Sequence, residues 1–107
     1  MTLTTLEYLP GHKVVEHYGI VSGSTVRAKH IGKDFFAGLK NIVGGELHGY
    51  TELMEETREQ SLQRLKAQAT KVGANAVLGI RFATSDVAQG AAEVFTYGTA
   101  VRVSKDV

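Results

Sequence analysis

Apolar and polar residues alternate from His12 to Ala28: Val14, Glu16, Tyr18 and Ile20 fall on one side of an extended chain, Val15, His17 and Val21 on the other. Ser22-Gly23-Ser24 interrupts the alternation and Val26 resumes it, which predicts one long strand with a bulge or two short strands. Pro10-Gly11 ahead of it marks a turn. From Asp34 to Val43 the period changes. Phe35, Phe36, Leu39, Ile42 and Val43 recur at helical spacing, and Gly44-Gly45 ends or bends the helix they predict. From Tyr50 to Val72, Tyr50, Leu53, Met54, Thr57, Ser61, Leu65, Ala69 and Val72 form an unbroken stripe at spacings of three and four. Acids crowd the first half of this segment (Glu52, Glu55, Glu56, Glu59) and bases the second (Arg64, Lys66, Lys71), which complements a helix dipole. Gly73 then supplies a left-handed stop.

Two further strands are predicted, Asn75 to Thr84 and Ala91 to Val103, joined by a loop at Ser85 to Gly90. In the first, Ala76, Leu78, Ile80 and Phe82 share one face and Val77, Gly79, Arg81 and Ala83 the other. The expected fold is α+β: a two-layer α/β sandwich of order β-α-(α)-β-β, with a three-stranded antiparallel sheet packed on the long helix. A sheet covered on one face leaves Val15, Val21, Val77, Ala83, Ala92, Val94 and Ala100 for the other, where neighbouring copies are the simplest cover. The whole of residues 1–107 reads as one domain, without linker, repeat or low-complexity stretch.

Charge narrows the partners. The net charge of +1 comes from 12 basic and 11 acidic residues that are interspersed, so the concentrated positive potential of a nucleic-acid binder is absent. The chain has no cysteine, which removes disulfides, thiolate metal sites and cysteine nucleophiles together. No apolar run approaches the ~20 residues of a bilayer span and no signal-like N-terminus is present, so the cytoplasm is the expected compartment.

Of the four histidines, His12 and His17 lie five apart and face opposite sides of a regular strand. His48 with Glu46 and Glu52 is the better candidate, an imidazole and two carboxylates around a turn that could hold a divalent metal ion. Such residues more often lie solvated on a loop and at a helix end. Gly44-Gly45-Glu46 and Gly73-Ala74-Asn75 lack the residues of a phosphate-binding loop and read as a helix break and a cap.

Several blocks in order resemble the YbjQ-like family: Leu39-Lys40-Asn41-Ile42-Val43-Gly44-Gly45-Glu46-Leu47, Tyr50-Thr51, Gly73 to Val77, Gly79 to Phe82, Thr84-Ser85, Gly90 to Glu93 and Tyr97 to Val101. The resemblance runs from about Gly19 to Val101. It implies a dodecin-subunit-like fold and assembly into a closed ring, commonly a pentamer, whose heterologous interfaces require complementary flanks on each subunit. It also carries the family's heavy-metal-binding label. Within these blocks Arg81, Thr84 and Glu93 are candidates for a ligand site or a subunit contact, with Arg81 and Glu93 expected near each other across the hairpin, most simply as an ion pair. No acid–base pair or nucleophile constellation stands out, so the expectation leans away from an enzyme. The expected function is a non-enzymatic ring oligomer that binds a small ligand or ion, or serves as an interaction module. The alternatives are a metal-binding protein with His and carboxylate ligands, and an enzyme with its site between subunits.

Overall fold

A computed structural model describes residues 1–28, 42–43, 46–88 and 91–106. The strands are β1 (Thr2–Leu3), β2 (His12–Ala28), β3 (Ile42–Val43), β4 (Glu46–Leu47), β5 (Ala76–Ala88) and β6 (Ala91–Lys105), with one described helix, α1 (His48–Lys71), between β4 and β5. β1, β5, β6 and β2 form one sheet in that order, and β3 pairs with β4 in a separate two-stranded sheet. β5–β6 and β6–β2 are antiparallel, whereas β1 runs parallel to β5. The sheet is therefore four-stranded and mixed. The expected three-stranded antiparallel sheet omitted β1, whose two residues carry no alternation to read.

The boundaries differ in three further places. Ile42 and Val43 pair with Leu47 and Glu46 in a ladder, so the expected helix does not reach them, and its remainder, 34–41, lies outside the described residues. The Ser85 loop is strand: Ser85 pairs with Glu93 and Asp86 with Ala92, so β5 runs on to Ala88. Ser22-Gly23-Ser24 does not interrupt β2, whose irregularities fall at Val15 and Tyr18.

Gly23 instead marks where α1 docks. A Cβ there would meet the carbonyl of Ser61 and the amide of Leu65, so only glycine admits the helix this close. The Ser61 hydroxyl donates to the Gly23 carbonyl at 2.8 Å. Buried Leu65 and Ala69 continue the contact onto Val21, Val77, Ile80 and Ala100. The helix ends as its sequence requires. Gly73 takes φ +95°, the Ala74 amide donates to the Ala69 carbonyl and the Gly73 amide to the Thr70 carbonyl.

Gly79 decides the faces of β5. Its φ of +62° coincides with a register shift between Leu78 and Arg81, which returns Ile80 to the helix side with Val77. Ala76 and Leu78 face away from the helix and pack with Val101, Leu9 and Val103. This reverses the expected assignment. Val21, Val77 and Ala100 lie in the helix-facing core, and Val94 is fully buried within the subunit. On the far face the chain's own N-terminal segment covers Ala76, Leu78 and Val101 through Leu9, while Val14 and Ile20 stay exposed.

Shelter ends beyond Ile80. All of Arg81–Ala88 is exposed, on both faces of β5. The Ile80 amide donates to the Thr4 carbonyl, and past that bond no described strand pairs with the outer edge of β5. The opposite edge, on β2, is covered by helix side chains: the Ser22 amide donates to Gln68 Oε1 at 2.6 Å, and Arg64 Nη1 donates to the Ser24 carbonyl at 2.6 Å. The radius of gyration is 17.4 Å, well above the ~13 Å of a compact chain this long.

Candidate functional site

Arg81, Thr84 and Glu93 all lie on the β5–β6 hairpin but do not converge. Arg81 pairs with Tyr97 and Ser85 with Glu93, which sets Arg81 and Glu93 four positions apart along β6. Nη1 of Arg81 donates to the Thr5 carbonyl at 2.9 Å and the Ile80 carbonyl at 2.8 Å, and Nη2 lies 3.7 Å from Glu7. The ion partner of Arg81 within the subunit is thus Glu7, from the N-terminal segment. Thr84 pairs with Val94, a buried helix-side residue, and so falls on the opposite face from Glu93.

Glu93 sits at the centre of a polar row across three strands. It accepts from Ser24 Oγ at 2.7 Å and from Ser85 Oγ at 3.3 Å. Phe95 and Tyr97 follow it on the same face, their rings 5.5 Å apart and nearly parallel.

Of the expected metal donors, Glu46 lies in β4 opposite Val43, His48 opens α1 and Glu52 stands one turn later, exposed; the side chains of Glu46 and His48 lie outside those described. His12 and His17 pair with Lys105 and Val101, and the bulge at Val15 brings them to one face after all. They remain separated by four positions of β6, about 13 Å, too far to share one ion. Among the described residues no group of three or more His, Cys, Asp or Glu could hold a metal ion.

Two concavities stand out. Leu3, Thr4, Thr5, Leu62, Ile80 and Phe82 line an apolar notch of about 160 Å³ beside the open edge of β5. On the other face, Leu78, Gly79 and Val101 with Val14 form a hollow of about 300 Å³, rimmed by Glu7, His17 and Thr99. The bulges of β2 and β5 bound it on both sides. Glu7 and Thr99 were not candidates from sequence, because the rim is assembled from three separate segments.

A family model described as "Putative heavy-metal-binding", of the YbjQ type, matches residues 1–104. The chain belongs to the YbjQ-like family. Relatives in it include the UPF0145 protein of Hahella chejuensis, 62% identical with 94% of this chain and 97% of that protein covered. The UPF0145 protein of Acinetobacter baylyi is 60% identical over 89% of this chain and 88% of its own. One from Thermus thermophilus is 54% identical over 94% and 89%. A crystal structure of a protein of unknown function from Pediococcus pentosaceus, assigned to the DUF74 family, superposes with a TM-score of 0.66 at 16% identity, covering 97% of this chain and 98% of that one. That likeness establishes the YbjQ-like fold and nothing of its chemistry. The family description names metal binding, yet the described donors of this YbjQ-like chain do not assemble into a metal site. No described helix is long and apolar enough to cross a membrane.

Proposed function

We propose that the chain is one subunit of a closed head-to-tail homo-oligomer, a pentamer or a multiple of one, acting as a non-enzymatic ligand-binding or interaction module. One observation carries the reading: Arg81–Ala88 is exposed on both faces and, among the described strands, unpaired along its outer edge. An edge reading Phe-Ala-Thr-Ser-Asp-Val-Ala, with one charge and no proline, is prone to pair with another chain. The apolar notch at Phe82 gives a neighbour's side chain a place to enter beside that edge. The chain's excess radius of gyration fits a subunit completed by its neighbours. The opposite edge of the sheet is already engaged by Gln68 and Arg64, so a contact that extends the sheet would use the outer edge of β5.

Light scattering after gel filtration tests this. The expected result is one species of defined subunit number, reduced in mass by Thr84→Lys with Val87→Lys while helix content is retained. A folded monomer of the natural chain at micromolar concentration overturns it.

The family description supports a second reading, a metal ion taken up by oxygen and imidazole donors, with Glu46, His48 and Glu52 the residues to change. Native mass spectrometry with zinc, nickel and copper decides it: stoichiometric uptake lost in His48→Ala supports these donors, and uptake unchanged in that variant removes them.

A further inference from the structure

We propose that the hollow on the sheet face opposite α1 binds a small organic ammonium, a primary amine carried on a short hydrocarbon chain. The hollow is concave because glycine bulges bend both flanking strands: Gly79 on β5 has φ +62° and Gly19 on β2 has φ +97°. Its floor is apolar, with Leu78 at 6% exposure and Val101 at 2%. About 300 Å³ is the lower end of the ~300–1,000 Å³ of ligand clefts, which limits the occupant to a small molecule.

The rim sets its chemistry. Glu7, His17 and Thr99 face the hollow, and among the described residues none of their side chains is hydrogen-bonded. Arg81 is ion-paired with Glu7 but leaves the carboxylate's hydrogen-bonding capacity free. At 3.7 Å its Nη2 is beyond hydrogen-bond reach of Oε1, and Nη1 is spent on the Thr5 and Ile80 carbonyls. The ionised carboxylate only accepts, and the Thr99 hydroxyl and a neutral imidazole can each accept as well. Three acceptors around an apolar floor match the three donors of a primary ammonium whose hydrocarbon chain lies on Leu78, Val101 and Val14. Among the described lining residues Glu7 is the one carboxylate and none is Lys or Arg, so a carboxylate of the same shape would face Glu7 with no lining base to pair with. The lining of the hollow excludes β5 beyond Ile80, the edge on which the proposed assembly rests.

Saturation-transfer NMR on the full chain, with n-butylammonium as probe and butyrate as its charge-reversed control, tests the site. The expected result is saturable binding of n-butylammonium, with a Kd on the order of 1 mM, and none of butyrate. Glu7→Gln should weaken it about tenfold. Val14→Trp, at a position 49% exposed, should abolish it by filling the hollow. Equal binding of butyrate overturns the proposal, as does the absence of saturable n-butylammonium binding, or binding unchanged in Glu7→Gln. Glu7 has an 85% exposed side chain, so its replacement keeps the test valid should Val14→Trp fail to fold. Light scattering on the same variants, expected unchanged, separates this outcome from failure of the oligomer.

Discussion

The hydroxyls of Ser61 in α1 and Thr96 in β6 lie 2.6 Å apart, both fully buried, at the centre of the helix–sheet interface. Ser61 has one proton and spends it on the Gly23 carbonyl, so Thr96 donates to Ser61. Three elements are thereby joined through one side chain. Ser61→Ala leaves the Thr96 hydroxyl and the Gly23 carbonyl without that partner and should cost about 1–3 kcal/mol, read as a lower urea midpoint at constant slope.

Gly23→Ala should destabilise by a different route. The added methyl meets backbone of α1 at Ser61 and Leu65, which cannot rotate away. The helix must lift, at about 1–3 kcal/mol or more, and thermal unfolding in parallel with Ser61→Ala should place both variants below the natural chain.

Gly79 is open around its missing side chain, so size is not its constraint. Its φ of +62° is, and Gly79→Ala should cost roughly 1–2 kcal/mol, with Gly79→Asn costing less because Asn tolerates the left-handed region. Urea unfolding of the two variants checks the order.

Val77→Glu and Val94→Glu separate a core role from a contact role. Both residues are 0% exposed within the single chain, and each substitution places an unpaired carboxylate under the helix. The expected outcome by circular dichroism is loss of ordered structure, in contrast to the folded, dissociated species expected of Thr84→Lys with Val87→Lys.

The Arg27–Glu56 pair spans 3.8 Å with both side chains at least a third exposed. Glu56→Gln should change stability by less than about 1 kcal/mol, and any effect should vanish in high salt.

The long strand, the 24-residue helix and its glycine stop are legible along the chain because each is a local matter of period and capping. The candidate site was legible only as residue types. Arg81 was expected beside Glu93 across the hairpin, but its ion partner is Glu7, from a segment without periodicity. Thr84 and Glu93 share a hairpin yet face apart, as strand neighbours of opposite parity must.

The sequence by itself determined the helical stripe, the main strands and the absence of thiol chemistry, since these depend on residue type and spacing alone. Tertiary structure decided which face each strand residue occupies and what covers it. A strand's period of two is reset by every bulge. Whether Gly79, Val15 or Tyr18 carries one depends on pairing with a distant strand, and the two-residue β1 exists only because β5 is there to receive it.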